Sequence, residues 1–279
     1  MKSRALGAEL RSARKQSGTD VDEMAEVLGL SAGWLSKLEA GTRGTDTGNI
    51  ARLLGFYRSD QATVDRVMSL HADPRDWFVG SGHGPGGVDE LPVLLRHEAA
   101  AREVFAYETV AVPALAQTSA YARAVLQRDP LATPEEIEQR SQARAQRQRV
   151  LKGEARFVFV VREMTLRSLG TDRRTAAEQL RHLATLPNTG RIGLRVLPRL
   201  MAGPYWDRYP FTLMRSDDYR PVVHVDAMYH SILLDDPDSV GAYQGAMESI
   251  LSNTLSVEES QAMILHLANN ASAVAGKTS

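Results

Sequence analysis

The chain has 279 residues, which is long for one compact domain and comfortable for two. Apolar residues make up 43% and charged residues 24%, the ordinary composition of a globular protein with a sizeable core. The formal net charge is -1, so any surface that binds nucleic acid must be a local basic patch. Cysteine is absent, which excludes disulfide scaffolds, thiol catalysis and thiolate metal sites.

The N-terminal residues and the apolar runs predict neither export nor membrane insertion. Residues 1–18 alternate apolar and charged side chains and lack the continuous apolar stretch of a signal peptide. The longest apolar run, Phe157 to Val161, is far shorter than the roughly 20 residues that cross a bilayer. We therefore expect a cytoplasmic protein without membrane contact.

Residues 1–72 predict a mainly α domain of four to five short helices. Asp20 is the expected N-cap of a second helix, with Glu23 completing a pair similar to a capping box. Gly29 ends that helix, and Ser31 caps a third one that runs from Ala32 to Ala40. A helix, a turn that contains glycine and a short helix form the geometry in which the second helix enters the DNA major groove.

The run LGAELRSARKQSG…DEMAEVLGLSAGWLSKLEAGTRG resembles the XRE-type, phage-repressor-like helix-turn-helix family over residues 3–57. The resemblance implies a DNA-binding domain whose third helix reads bases. The family usually has Gln where this chain has Val21, and a polar residue where it has Ala32; Gly33 also weakens the helix by about 1 kcal/mol relative to alanine. The candidate DNA-binding residues are Ala32, Trp34, Ser36, Lys37 and Arg43.

Charge leaves two interpretations of this domain open. Residues 1–60 contain nine basic and eight acidic side chains, a weak balance for a surface that neutralises phosphates. The domain is either a DNA-binding unit, helped by homodimer formation, or an inherited scaffold that no longer binds DNA tightly.

A Gly-rich linker is predicted over residues 73–90. Its segment GSGHGPGG, at 80–87, is costly to order and can bury little. A phosphate-binding loop would need Gly-Lys-Ser/Thr at the start of a helix, which this segment lacks.

Residues 91–270 predict an α+β domain, followed by a flexible tail at 271–279. Helices are expected at 98–108, 119–126, from Thr133 to about Leu151, from Asp172 to Leu186, at 237–251 and at 257–269, with an extended segment at 109–114. The best strands are 157–161, 192–197, 211–214 and 222–226.

Segments spread over about residues 95–268, from YETVAVPALAQTSAYARAVLQ to NTLSVEESQAMI, are similar to the C-terminal domain of the Scr1-type, antitoxin-like actinobacterial regulators. The resemblance implies a transcriptional regulator whose gene often neighbours one for a small partner protein. It implies no catalytic residues.

Two clusters in this domain are candidates for binding a ligand or a partner. Arg144 and Arg147 recur at helical spacing with Arg140 and could meet phosphates or an acidic protein, although a solvated helix face explains the pattern as well. Tyr205, Trp206 and Tyr209 lie in an aromatic segment that suits either a pocket or packing at a sheet edge.

Other constellations give little support for chemistry. His224, Asp226 and His230 could form a zinc site, but no second cluster accompanies them, and we predict no metal and no cofactor. No Gly-x-Ser-x-Gly elbow or related signature is present, so we predict no enzyme. Asp235, Asp236 and Asp238 surround Pro237, where carboxylates suit the start of a helix.

The sequence therefore predicts a DNA-binding transcriptional regulator that acts as a homodimer on double-stranded DNA. Its C-terminal domain would sense a small-molecule effector or a small partner protein. The alternative is an antitoxin-like protein-interaction module with a degenerate helix-turn-helix.

Overall fold

The computed structural model describes residues 2–72, 78–81, 91–199, 208–217, 219–227 and 230–275. They form a helical N-terminal domain and a larger α+β domain, which confirms the predicted fold class. None of the helices among these residues is long and apolar enough to cross a membrane.

The N-terminal domain has five helices, where the sequence predicts four to five. They are α1 Lys2–Gln16, α2 Val21–Leu28, α3 Ala32–Glu39, α4 Thr47–Phe56 and α5 Gln61–Ala72. Ser31 caps α3 as predicted, since its side chain accepts a hydrogen bond from the Trp34 amide at 3.1 Å. Asp20 caps α2 by accepting from the Asp22 amide at 2.8 Å rather than through Glu23.

One apolar cluster holds these five helices together. Its fully buried members come from every helix and are Leu10, Met24, Leu35, Leu38, Ile50, Leu53 and Val67. Gly29 has φ 65°, a left-handed conformation that glycine adopts without a steric penalty, and it allows the tight turn between α2 and α3.

Among the described residues, the C-terminal domain is built on a mixed sheet of seven strands. The strands are β1 Phe78–Ser81, β2 Glu103–Glu108, β3 Arg156–Arg162, β4 Ile192–Leu197, β5 Phe211–Arg215, β6 Val222–Ala227 and β7 His230–Leu234. Their order is β1-β7-β6-β5-β2-β3-β4, in which β2, β3 and β4 are parallel and the other neighbours are antiparallel.

Helices cover both faces of this sheet. They are α6 Pro92–Ala100, α7 Ser119–Leu126, α8 Pro134–Arg147, α9 Glu163–Arg167, α10 Arg173–Thr185, α11 Pro237–Ser252 and α12 Val257–Ala275. Alternate residues of β2 point to opposite faces: Val104 and Ala106 join the core under α6, α7, α10 and α12, while Phe105 and Tyr107 join the core under α11.

The helix predicted over 98–108 is wrong for its second half, because Glu103–Glu108 forms the strand β2. Four consecutive residues of this strand are buried, as expected for a strand covered on both faces. A short continuous apolar run has no period that separates a strand from a helix, which explains the error. Strand β7 was not predicted either, because a run of five residues is also too short to show a clear period.

Two predicted boundaries also differ from the structure. The linker at 73–90 includes β1, which pairs antiparallel with β7 from Phe78↔Leu233 to Ser81↔His230, while residues 73–77 and 82–90 lie outside the described residues. The helix predicted over 257–269 continues to Ala275 and so enters the predicted tail at 271–279, whose last four residues lie outside the described residues. The glycine content of a segment does not show whether that segment can pair with a strand at the edge of a sheet.

Helix α1 of the N-terminal domain packs on α6 of the C-terminal domain. Ala5 and Ala8 are buried in the same cluster as Val93 and Leu94. An ion pair between Arg4 Nη2 and Asp235 Oδ2, at 3.0 Å, adds a second link between the domains.

Candidate nucleic-acid interface and candidate ligand cavity

Helix α3 is held at its C-terminal end by close contacts with α1. The Arg14 guanidinium donates to both carboxylate oxygens of the buried Glu39, at 2.7 and 3.0 Å. A Cβ on Gly7 would lie 2.5 Å from the Leu38 carbonyl oxygen, and one on Gly41 would lie 2.4 Å from Arg4 Cα. Glycine at both positions therefore lets the two helices approach, and the ion pair fixes their register.

The opposite side of α3 is open to solvent. Ser36, Lys37 and Arg43 are exposed. Ser36 and Lys37 are consecutive residues on the outer face of α3. Trp34 is half-buried against the helical core, and the Arg43 guanidinium lies 5.6 Å from the centre of its ring. Ala32 is half-buried in the first turn. The five predicted DNA-binding residues thus form one region, in which Lys37 and Arg43 carry the positive charge.

The start of α2 is acidic. Asp20, Asp22 and Glu23 are all exposed there, while Val21 is half-buried against the core. A helix N-terminus can bind phosphate through its free amides, but the Asp22 amide is occupied by Asp20 and the nearby carboxylates repel phosphate. Any contact with phosphate would therefore have to come from Lys37, Arg43 and other side chains.

A small cavity of about 50 Å³ lies between one face of the sheet and α8. The floor of the cavity is formed by neighbouring residues on β2, β5 and β6. Ala106 pairs with Thr212, and Thr212 pairs with His224. Glu108 lies two residues after Ala106 on β2, and Asp226 lies two residues after His224 on β6. Both also line the cavity, because side chains two positions apart on a strand share a face. The remaining lining residues are Glu98, Pro113, Ala114, Leu115, Arg144, Arg147, Phe159, Pro210 and Phe211.

Arg144 and Arg147 are buried and line this cavity, so neither a solvated face nor an exposed contact surface describes them. Arg147 donates to both carboxylate oxygens of the buried Glu98, at 2.7 and 2.8 Å. Arg144 Nη1 donates to the neutral amide oxygen of Gln117 at 2.9 Å. Arg140 is only half-buried, and its Nη1 lies 3.2 Å from Asp129 Oδ2.

Glu108 is the carboxyl group of the cavity whose protonation is most disturbed. Burial, and then the nearby Asp226 carboxylate, raise its pKa to about 8, although Arg144 and Arg147 act in the opposite direction. The Glu108 side chain is therefore largely protonated at neutral pH.

The candidate cluster of His224, Asp226 and His230 does not form a group that could hold a metal ion among the described residues. His224 is buried, and its Nε2 lies 2.6 Å from Ser231 Oγ. His230 is exposed at the start of β7. The group of aspartates divides as well: Asp236 caps α11 by accepting from the Ser239 amide at 2.8 Å, while Asp235 pairs with Arg4.

Of the predicted aromatic site, Tyr205 and Trp206 lie outside the described residues. Tyr209 is 50% exposed and is followed by Pro210, which lines the cavity. The structure thus leaves the proposed aromatic pocket a prediction.

Helix α6 contacts both the cavity and α3. Glu98 binds Arg147 in the cavity wall, while two residues earlier Arg96 Nη1 donates to the Glu39 carbonyl oxygen at the end of α3. Arg96 Nε also donates to the Tyr219 hydroxyl at 2.8 Å. Between them His97 is buried against the Tyr219 ring, and burial, Arg4 and Arg96 lower its pKa to about 3.

Sequence reasoning missed the acidic residues of the cavity and the contacts that α6 makes with both the cavity and α3. Glu98 and Arg147 are 49 residues apart, and no local pattern joins them. The available signal was the presence of charged residues next to apolar runs, as at Glu98 and Glu108, since buried charges are usually paired.

Comparisons with known proteins agree with the two-domain arrangement. Residues 91–266 match the family model described as "Domain of unknown function (DUF5753)", and residues 5–67 match one described as "Helix-turn-helix domain". The second match supports the resemblance to XRE-type regulators, while the Scr1-type name stays a prediction. A comparison with curated protein sequences found no match.

One solved structure with a detectable likeness is TrmBL2, an archaeal chromatin protein described as showing a novel mode of DNA binding. The TM-score is 0.31 and the identity 9%, over 79% of this chain and 64% of that one, so the chain spans less than two thirds of TrmBL2. A likeness this weak carries no argument. The first family match covers more than half of the chain, which therefore belongs to the DUF5753 family, here preceded by a helix-turn-helix domain.

Proposed function

We propose that this protein is a dimeric, DNA-binding transcriptional regulator whose C-terminal domain controls how its helix-turn-helix domain engages DNA. The observation that carries the proposal is the exposed face of α3, on which Ser36 and Lys37 stand free of the core with Arg43 close by. DNA as the partner implies a cytoplasmic location. The role proposed for the cavity is binding, without turnover.

A homodimer suits the small number of DNA-binding side chains on each α3. Helix-turn-helix dimers place two recognition helices about one DNA turn apart, so each base contact is used twice. This symmetry would also double the number of phosphate contacts and steepen the dependence of affinity on salt.

Helix α6 offers the route by which the C-terminal domain would act on α3. A ligand or a small partner protein that disturbs the Arg147–Glu98 pair would shift the last turn of α6, and with it the Arg96 contact to the Glu39 carbonyl. Because that carbonyl ends α3, the shift would reach the DNA-binding helix directly.

A gel-shift experiment with the DNA upstream of the protein's own gene tests the proposal. We expect a specific shift that weakens as salt rises, and at least a 10-fold loss of affinity in Lys37→Ala/Arg43→Ala, since each lost phosphate contact removes one released counterion. The control is Lys152→Ala, which removes an exposed lysine from the C-terminal domain and should leave binding unchanged.

Failure of the wild-type protein to shift this DNA at low salt would contradict the proposal. The acidic start of α2 and the few donors on α3 would then favour the second candidate function, an antitoxin-like module that binds a protein. Pull-down with the product of a neighbouring gene would test that function.

A further inference from the structure

We propose that the groove between α1 and α6 binds a small amphipathic acid, in which a carboxylate is joined to an apolar body. The carboxylate would meet Arg11 and Lys15 on α1, and the apolar body would lie against α6. This inference names an effector class for the regulator proposed above and rests on that function for its regulatory meaning, but binding itself can be measured without DNA. Among the described residues, the groove shares no lining residue with the cavity under α8.

The groove has a volume of about 560 Å³ and lies where the two domains meet. Pockets for small molecules occupy roughly 300–1,000 Å³, so the groove has room for a small organic ligand. Ala8 of α1 lines the groove and is buried in one cluster with Leu94 of α6, so the base of the groove is the contact between these helices. A ligand bound there would touch both domains at once.

The α1 wall of the groove is basic. Arg11 and Lys15 lie one turn apart on the face of α1 that lines the groove, and both are exposed. Neither forms an ion pair with a carboxylate of the described residues, whereas Arg4 and Arg14 on the same helix do. The described residues that line the groove include no acidic side chain. The wall therefore offers two cations to an anionic ligand.

The α6 wall is largely apolar. Pro92, Leu95 and Ala99 line it at helical spacing, with Leu95 half-buried and Ala99 exposed. Covering such surface removes apolar groups from water, which favours a ligand with an apolar body. A simple anion would use only the α1 wall, and a neutral apolar molecule only the α6 wall. An amphipathic acid can use both.

Arg96 lines the groove and connects it to α3. Its Nε donates to the Tyr219 hydroxyl at 2.8 Å, and its Nη1 donates to the Glu39 carbonyl oxygen at the end of α3. Both of these acceptors are neutral, and a carboxylate forms a stronger, charge-assisted bond with a guanidinium group. A bound acid would therefore compete for Arg96 and weaken its contact with α3.

Isothermal titration calorimetry of the full-length protein tests the proposal. The probes are octanoate and 2-naphthoate, which combine a carboxylate with an aliphatic or an aromatic body. The control ligands are acetate, which lacks the body, and octylammonium, which carries the opposite charge. We expect at least one of the two acids to bind at least 10-fold more tightly than both control ligands. Its affinity should fall as salt rises, because the two cations are exposed and therefore screened.

A variant without the two cations locates the carboxylate. Arg11→Gln/Lys15→Gln should weaken binding of the acid at least 10-fold. The matched control is Arg149→Gln/Lys152→Gln, which removes two exposed cations of the C-terminal domain outside the groove and should leave binding of the acid unchanged.

A second variant blocks the groove and keeps its cations. Ala99→Glu places a carboxylate on the α6 wall, where it would repel the acid and pair with the cations, so binding should again weaken at least 10-fold. Ala99 is exposed, so the fold should tolerate the longer side chain. Ala145→Glu is the matched control, since Ala145 is exposed in the last turn of α8 and does not line the groove.

Three results would overturn the proposal. They are the failure of both acids to bind, binding of acetate or octylammonium as tight as that of the acids, and full affinity of Arg11→Gln/Lys15→Gln for the acid. The first comparison uses the wild-type protein and needs no variant to fold. Weaker DNA binding by Arg11→Gln/Lys15→Gln, joined to the absence of acid binding, would assign the two cations to DNA phosphates instead.

The gel-shift experiment separates this proposal from the regulator itself. A DNA shift without acid binding would leave the regulator intact and overturn the ligand. Acid binding by a protein that shifts no DNA would keep the ligand and contradict the regulator. Acid binding that leaves the DNA shift unchanged would keep the ligand and overturn its sensing role.

Discussion

Glu108 shows how position decides the charge of a residue. It lines a cavity that also holds Arg144 and Arg147, and yet its pKa lies at about 8, because burial and Asp226 outweigh the two guanidinium groups. Between about pH 4.5 and 8 the folded protein therefore keeps a proton that the unfolded chain has lost. The contribution of Glu108 to the free energy of unfolding therefore falls as the pH rises through this window.

We expect Glu108→Gln to remove this pH dependence. The variant should match the wild type near pH 4.5 and exceed it at pH 8, by on the order of 1–3 kcal/mol in the free energy of unfolding. Urea denaturation at pH 5, 6, 7 and 8 measures the difference. Curves that stay parallel for the two proteins would show that Glu108 titrates normally.

Gly7 is a second residue with a specific requirement, since α3 passes so close to it. We expect Gly7→Ala to destabilise the protein by roughly 1–3 kcal/mol, because its Cβ would strike the Leu38 and Glu39 carbonyl oxygens, which belong to the backbone. Urea denaturation measures the change.

Gly55→Ala is the matched control for Gly7→Ala. Gly55 lies in α4, and a Cβ there would meet no atom within 4 Å. The substitution should therefore stabilise the protein by about 0.5–1 kcal/mol through better helix propensity. Equal effects of the two substitutions would contradict the close approach of α1 and α3.

In the proposed regulator, helix α6 is the element through which the C-terminal domain would act on α3. Arg96 contacts the end of α3 and the Tyr219 hydroxyl, yet it belongs to the C-terminal domain and is absent from the predicted DNA-binding set. We expect Arg96→Ala to change DNA affinity several-fold and to abolish any response to a ligand, with the fold retained. A gel-shift titration with and without ligand measures both effects.

The control for this prediction is Arg149→Ala, an exposed arginine outside α6. It removes the same charge from the same domain, so it separates a local effect at α3 from a general electrostatic effect on DNA binding. Identical gel shifts for Arg96→Ala and the wild type would reject the proposed route through α6.

The accuracy of the sequence predictions also varied by element. Helix α7 was predicted with its observed bounds, and Thr133 forms the predicted capping box with Glu136, because caps are encoded within four residues. Strand β2 was missed because its apolar run is short and buried on both sides. The cavity was not predictable, since it depends on Glu98, Glu108 and Asp226 meeting α8 across long stretches of sequence.

At the scale of the whole molecule, α1 belongs to two cores. Ala5 and Ala8 are buried with the C-terminal domain, whereas Leu6 and Leu10 are buried with the other helices of the N-terminal domain. The unfolding of one domain therefore exposes part of the core of the other, and we expect the intact protein to unfold in a single calorimetric transition.

Ala8→Asp should separate the two domains. It places a charge at a site that is 4% exposed, between α1 and α6, and the cost of burying that charge opposes their contact. Differential scanning calorimetry should then show two transitions, the first at a lower temperature than in the wild type. Two transitions already present in the wild type, and unmoved in the variant, would contradict the shared core.

Strand β1 also sets a limit on the reach of the DNA-binding domain. Helix α5 ends at Ala72 and β1 begins at Phe78 on the sheet edge, so six peptide steps join them, a span of about 21 Å when fully extended. Even with α1 released from α6, the end of α5 would stay within that distance of the edge strand, and the rest of the N-terminal domain would stay attached to it. In the dimer proposed above, operators with widely separated half-sites would be met by bending the DNA more readily than by stretching the protein.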